Sequence, residues 1–332
     1  MKHLVLFFGL FTLFTLSVCA QKKRYAFTAD KMGSPLNMVF VAPDAATANS
    51  LSNHCFALID SLIHVFSDYD STSEISNINT HAGISPSKVS ALMLDMLHIS
   101  TEAYHKSNGA YNIAIGPLSV LWRTARTTKV FPTKAIVDSA KELTDFLSII
   151  INEKDSTIFL PHKGMRLDVG GLGKGYVAQK VLNYLMLNGI TEAMIDAGGK
   201  IVTCMPAEEN NDWIIGVNIS RKREKILNKR LHIKNLAVAT SGDVYQFFNY
   251  NGIRYSHIIN PVTGYGLTTM KNVTVIASSG VLADWLATAC SVLAVKQAIQ
   301  LVESLNAEML LAVKKRNKIV YYKTSGLNNY FY

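Results

Sequence analysis

Apolar and polar positions along the chain follow two periods. Over residues 44–66, Ala48, Leu51, Cys55, Leu58, Leu62 and Val65 recur every three or four places, which predicts a helix with one apolar face. The spacing predicts a second helix over 87–105, with Leu92, Met96, Ile99 and Ala103 on one side. Further helices are predicted over 175–187, where Val177, Val181 and Leu185 are spaced by four, and over 281–295. Short apolar runs at 157–161, 193–196, 213–217 and 273–277 read as strands. Residues 310–313 and 319–322, joined through 314–318, read as a closing hairpin, whereas 124–141 lacks clear periodicity and reads as a mobile surface segment. No repeat at a solenoid period is present. Helices and strands are interspersed without a strict βαβ rhythm, which predicts an α+β fold.

The N-terminus breaks this pattern. Lys2 precedes a charge-free run of 17 residues, 4–20, that ends in Val18-Cys19-Ala20. The run is short for a spanning helix of about 20 residues. It reads as a secretory signal peptide over 1–20 cleaved after Ala20, leaving 21–332 as one exported, periplasmic catalytic unit. Lipidation at Cys19 is the alternative, and it would anchor the chain to a membrane. Nothing later in the chain is apolar enough to span one. Cys55, Cys204 and Cys290 are then an odd number with no CxxC spacing, so they read as buried free thiols rather than a disulfide framework or a zinc site.

Composition adds less. At 332 residues and 49% hydrophobic, the chain can bury a sizeable core and is not disordered. The net charge of +9 is concentrated in two runs, 221–234 with a local +6 and 314–318 with a local +4, so the remainder carries −1. These read as solvated surface runs, suited to an acidic partner or to peripheral contact with an anionic membrane. They argue against nucleic acid as the partner.

Four segments carry candidate chemistry. Asp168-Val169-Gly170-Gly171-Leu172-Gly173-Lys174-Gly175 precedes a predicted helix, and its glycines let backbone N–H groups approach an anion beside the Lys174 cation. It matches neither the P-loop nor the GxGxxG spacing. Ala197-Gly198-Gly199 follows a predicted strand. Thr240-Ser241-Gly242-Asp243 and the stretch from His257 through Pro261-Val262-Thr263-Gly264 place hydroxyls, an acid and a histidine at strand ends and turns. Asp284 and Thr288 are four apart on a predicted helix and share one face. Their surroundings are small and apolar, so an unpaired carboxylate there is costly. Two readings stay open: a hard cation held by oxygen ligands, which suits phosphoryl chemistry near an anion-cradling loop, or a helix N-cap.

Taken in order, these segments resemble the FAD:protein FMN transferase family, the ApbE-type flavin transferases, over residues 32–294. Met32-Gly33-Ser34 is similar to the family's opening Met-Gly-Thr strand, and Phe66-Ser67-Asp68-Tyr69-Asp70 leads into its Ser-Glu-Ile-Ser segment at 73–76. Gly109-Ala110-Tyr111-Asn112 through Gly116-Pro117-Leu118 and Trp122 follows, and then the four segments above. The resemblance implies an α+β structure of antiparallel sheets backed by helices, with two intertwined, T-fold-like halves and an FAD cleft between them. It implies FAD as substrate and Mg²⁺ as cofactor. The activity implied is attachment of FMN through its phosphate to a Ser or Thr hydroxyl of a partner flavoprotein, with release of AMP.

Carried over by position, Asp284 and Thr288 would hold the metal through side chains and Gly171 through its carbonyl. Met32, Tyr69, Asp168, Gly171, Lys174, Gly198, Ser241, Asp243 and His257 would contact FAD. His257 and Asp284 would serve the chemistry. The sequence departs from the family pattern at Asn112 and Gln179, where Asp is usual, and at Lys200, where Asp or Asn is usual. Hydrolysis of FAD to FMN and AMP, and flavin binding without turnover, are the alternatives these residues leave open.

Overall fold

A computed structural model describes residues 23–205, 212–218, 226–242, 246–316 and 318–331. The leader at 1–20 with Cys19, residue Asp243 and the first part of the basic run, 221–225, lie outside the described residues.

One antiparallel sheet of eight strands organises the chain. In spatial order it runs β1 (Lys23–Lys31), β2 (Ser34–Ala42), β6 (Ala193–Ala197), β7 (Lys200–Thr203), β10 (Ala237–Gly242), β13 (Lys271–Ala277), β14 (Glu308–Lys315) and β15 (Lys318–Lys323). Alternate residues along the central strands serve two layers, as the period of a strand requires. Ala237 and Ala239, Val273 and Val275, and Met309 and Leu311 face the main core. Between them, Val238, Ile276, Leu310 and Ala312 face a second core. The helices α1 (Ala45–Phe66), α6 (Gly173–Leu187) and α7 (Gly280–Val292) cover the first face, with α8 (Val295–Ser304) beside them. A two-stranded ribbon of β8 (Trp213–Asn218) and β9 (Ile226–Ile233) covers the second through Trp213, Ile215 and Leu231.

The smaller elements flank this sandwich. They are α2 (Glu74–Thr80), α3 (Ala91–Lys106), α4 (Gly116–Thr128) and α5 (Lys134–Glu142). A three-stranded sheet joins β3 (Ser87–Lys88), β5 (Thr157–Phe159) and β4 (Ile150–Asn152), and a hairpin joins β11 (Phe247–Tyr250) to β12 (Ile253–Ser256). The fold is therefore α+β with antiparallel sheets backed by helices, and among the described residues no helix is long and apolar enough to cross a membrane.

Most predicted elements form, with three corrections. Residues 87–88 are a strand, and the second helix starts at Ala91, where the Ser90 side chain accepts the Met93 N–H at 3.1 Å and caps it. Its buried face accordingly runs through Met93, Met96, Leu97 and Ala103, leaving Leu92 and Ile99 only partly buried. The helix predicted over 281–295 ends at Val292, and a separate helix starts at Val295. The largest correction concerns 124–141, which is not a loose surface segment. It holds the end of α4 and most of α5, and its Ala125 and Val137 join Trp122, Phe248 and Ile259 in one buried cluster. The Trp122 indole N–H donates to the Gly264 carbonyl at 2.7 Å, which ties α4 to the chain that carries His257. This third cluster is built largely from aromatic rings, which follow no helical period, so periodicity alone could not show it. Cys55, Cys204 and Cys290 are buried free thiols, as expected.

One contact sets how closely the helices approach. A β-carbon on Gly175 of α6 would stand 2.2 Å from the Gly280 carbonyl oxygen and 2.6 Å from Asp284 Cβ of α7. Gly175→Ala is expected to lower the unfolding free energy by about 3 kcal/mol in urea denaturation, since the clash is with backbone. Gly216→Ala, at a strand position with nothing within 4 Å, should stay within about 0.5 kcal/mol of the parent. Equal stability of both variants would show that α6 and α7 can separate freely.

Candidate functional site

A cleft of about 930 Å³ opens where the helical layer meets the ends of β2, β7 and β10. Met32, Tyr69, Asp168, Gly171, Lys174, Gly198, Ser241, His257, Asp284 and Thr288 all line it, although they span most of the chain. Asp243 lies outside the described residues.

Local structure explains each placement. Met32 and Gly33 form the two-residue turn between β1 and β2 and both have positive φ, 52° and 68°, so this segment is a hairpin turn at the cleft rim rather than a strand. Gly198 and Gly199 close the turn from β6 to β7. A side chain at Gly198 would meet Ser34 Oγ at 2.4 Å, and the same serine accepts a hydrogen bond from Lys174 Nζ at 2.8 Å. The Gly170 N–H donates to Asp168 Oδ1 at 2.7 Å, which turns the chain before α6 begins at Gly173. Upstream, buried Asn79 clamps Leu167 on both sides: its amide donates to the Leu167 carbonyl at 3.2 Å and its Oδ1 accepts the Leu167 N–H at 2.7 Å.

Asp284 is not the helix cap. Ser279 caps α7, and Asp284 lies in the helix, 1% exposed. Its Oδ2 accepts the Gly175 N–H at 2.9 Å, and its Oδ1 lies 3.0 Å from Lys200 Nζ. One turn on, the Thr288 hydroxyl donates to the Gly171 carbonyl at 2.9 Å. A β-carbon at Gly171 would crowd the Tyr111 and Thr288 side chains at 3.0 and 3.1 Å, so glycine lets that carbonyl approach the threonine without displacing either. Carboxylate, hydroxyl and carbonyl thus converge as oxygen donors of the kind a hard divalent cation takes, with coordination left for ligand oxygens. The set fits such a cation. It is no cage of acids, and among the described residues no group of three or more His, Cys, Asp or Glu could hold a metal.

Charge on the other walls comes from residues that pattern did not single out. Arg123 donates to Asp68 Oδ2 at 2.7 Å, and its guanidinium lies 3.9 Å from the Tyr69 ring centroid, holding an otherwise exposed ring over the cleft. Burial, with Asp168 nearby, raises the Asp68 pKa against the opposing pull of Arg123. Burial lowers that of Lys174, and Lys200 adds to the shift. The His257 pKa is lowered to about 4, chiefly by burial, with Arg126, Lys200 and Arg254 contributing. Its Nδ1 lies 3.1 Å from the Gln246 carbonyl, which can only accept, so Nδ1 carries the proton and Nε2 is left with its lone pair.

The three departures separate here. Asn112 lines the cleft while its side chain bonds the Thr144 carbonyl and the Ala114 N–H. Gln179 lies behind the cleft wall, accepting the Gly280 N–H at 2.9 Å and so joining α6 to α7. Lys200 reaches the centre. Its single basic residue after a Gly-Gly turn was a visible signal, but its partner 84 positions away was not.

The chain matches a known family over most of its length. The ApbE family model matches residues 32–311, and the chain belongs to that family. It is 30% identical over 266 residues to an FAD:protein FMN transferase of Klebsiella pneumoniae (strain 342), covering 80% of this chain and 81% of that protein. It is 26% identical over 299 residues to one of Vibrio cholerae, covering 89% of each. Among solved structures, the flavin transferase ApbE from Vibrio cholerae superposes with a TM-score of 0.84 at 25% identity, over 93% of this chain and all of that one. The ApbE protein of Thermotoga maritima shares the fold, with a TM-score of 0.83 at 23% identity over 93% of this chain and 99% of that one.

Asn79 gives the site a test independent of any ligand. Asn79→Ala leaves the buried Leu167 N–H and carbonyl without partners and should cost about 3 kcal/mol of stability. Hydrogen exchange should rise first at residues 167–171; unchanged protection there would show that the clamp does not hold the glycine loop.

Proposed function

We propose that this chain is an exported, Mg²⁺-dependent FAD:protein FMN transferase that joins FMN through its phosphate to a Ser or Thr hydroxyl of a partner flavoprotein and releases AMP. The observation that carries the reading is the convergence, in one cleft, of the glycine loop with Lys174, the Asp284, Thr288 and Gly171 oxygens, and His257. Membership of the ApbE family and the activity named for the relatives support it. The export part of the proposal rests on the 1–20 leader pattern, which leaves 21–332 as the periplasmic catalytic unit.

In this reading the FAD pyrophosphate lies against the glycine loop and Lys174. The Asp284 and Thr288 side chains and the Gly171 carbonyl would hold Mg²⁺, which when bound would neutralise charge on the pyrophosphate oxygens. Neutral His257 accepts the acceptor hydroxyl's proton at Nε2 while the hydroxyl oxygen forms a bond to the FMN-side phosphorus. The bond from that phosphorus to the bridging oxygen breaks, and AMP leaves with the electron pair. Lys174 offsets the charge that builds on the phosphoryl oxygens.

Incubation with FAD, Mg²⁺ and an acceptor flavoprotein domain should give an FMN adduct on a Ser or Thr of the acceptor by mass spectrometry. Free FMN and AMP without adduct would instead mean hydrolysis, and intact retained FAD would mean binding alone. Asp284→Ala should lose about a hundredfold or more of the turnover; unchanged activity would sink the metal assignment.

The pH dependence follows from His257. Only the neutral ring accepts a proton, so the rate should rise with pH through about 4 and be flat above about 5, where an ordinary imidazole would break near 6.5. The depressed pKa also means that the unfolded chain binds this proton more readily, so the His257 contribution to stability is present above 6.5 and is lost as pH falls toward 4. An acid limb near 6.5 that His257→Gln leaves in place would assign the proton transfer elsewhere.

A further inference from the structure

Lys200 and Asp284 form a closed pair at the centre of the cleft. Lys200 Nζ lies 3.0 Å from Asp284 Oδ1 and also donates to the Thr240 carbonyl at 2.6 Å, with its side chain 12% exposed and that of Asp284 1% exposed. The second carboxylate oxygen is engaged by the Gly175 N–H. Both oxygens are therefore occupied by groups of this chain, and the buried negative charge is already balanced by an ammonium. The same carboxylate is the only anionic donor of the Asp284, Thr288 and Gly171 set. A dication cannot share Oδ1 with an ammonium 3.0 Å away without strong like-charge repulsion in a partly desolvated site.

We propose that Lys200 is the resident counter-ion of Asp284 and that a divalent cation enters the Asp284, Thr288 and Gly171 oxygen set only by displacing the Lys200 ammonium. The proposal deepens the metal reading given above and rests on it. The side chain is suited to such an exchange. A lysine carries a compact charge on a flexible stem, unlike the fixed fork of an arginine. Its second acceptor, the Thr240 carbonyl, belongs to the neighbouring strand β10, so the ammonium can leave Asp284 and stay hydrogen-bonded. It also lines the cleft with Lys174, so the released charge faces the place where an anionic substrate binds. Free of substrate, the chain should then be a poor binder of divalent cations, and removing the ammonium should make it a better one.

The test is a titration of the chain with Mn²⁺, read by electron paramagnetic resonance without FAD. Parent, Lys200→Asn, Lys200→Gln and Asp284→Asn are compared. Both Lys200 variants should bind Mn²⁺ about tenfold or more tightly than the parent, and Asp284→Asn should not bind it at this site. Without metal, both Lys200 variants should melt below the parent, because Asp284 has lost its counter-ion, and Mn²⁺ should raise their melting temperature more than it raises the parent's. A variant that unfolds without metal should regain its native circular dichroism on Mn²⁺ addition; no recovery overturns the proposal. Equal affinities of parent and Lys200 variants overturn the displacement but leave the Asp284 metal reading standing. Folded Lys200 variants that bind no Mn²⁺, or Mn²⁺ binding that survives Asp284→Asn, overturn both.

Discussion

A carboxylate taken almost completely out of water must find a donor for each oxygen and a cation for its charge, and Asp284 finds all of these within the fold. The requirement reaches far beyond one side chain. The Gly175 N–H can touch Asp284 only because α6 and α7 pack glycine against glycine, with no room for a β-carbon at Gly175. Placing Gly175 there also places Lys174 and Gly171 one residue and one turn before it. On the other side, Lys200 can reach the carboxylate only because the Gly198-Gly199 turn starts β7 directly under the helices. The glycine loop, the turn and the first strand residue of β7 are thus parts of one solution to a buried charge.

The sheet supplies the rigidity that this solution needs. Its central strands are packed on both faces, by the helices on one side and by the β8–β9 ribbon on the other, so the ends of β7 and β10 that bear Lys200 and Ser241 cannot shift independently. The remaining wall is held differently. Trp122 ties α4 to Gly264, and Arg123 and Arg126, on the same helix, face the cleft beside Tyr69. The aromatic cluster around Phe131 and Tyr255 therefore acts on the site at second hand, by fixing the segment that carries His257.

How much of this was legible depends on the range of the interaction. Apolar patterning located α1, α6 and α7, because a helix facing a flat sheet must repeat its apolar residues at the helical period, and it located four of the eight strands of the main sheet, β6, β13, β14 and β15. It failed at α4 and α5, whose burial depends on phenylalanine and tyrosine rings contributed by residues 248–265. It also gave α3 the wrong start, since two strand residues and a capping serine precede the first turn. Ordered motifs gathered the residues that line the cleft, yet they could not assign roles set by contact. Asn79, three residues past the Ser-Glu-Ile-Ser segment, carried no role of its own, whereas it is the clamp on the stretch leading to Asp168. Lys200 appeared only as a departure, whereas it is the ion partner of the most buried acid in the site.

The same contacts change the meaning of the chain's positive charge. The net +9 is concentrated in the two runs 221–234 and 314–318, and the described lining of the cleft is nearly balanced. Arg123 rests on Asp68 and Lys200 on Asp284, while Lys174 is held by a neutral serine hydroxyl. These three cations and Arg126, which lines the same cleft, would repel one another in a partly desolvated space without these partners. Resting two of them on carboxylates keeps the cleft stable while it holds no anion. A pyrophosphate offers better acceptors than a carboxylate already hydrogen-bonded elsewhere, so an arriving substrate can draw these cations toward itself. Affinity for a polyanion is then a matter of which pairs can be exchanged, and a sum of charges over the sequence carries no information about that.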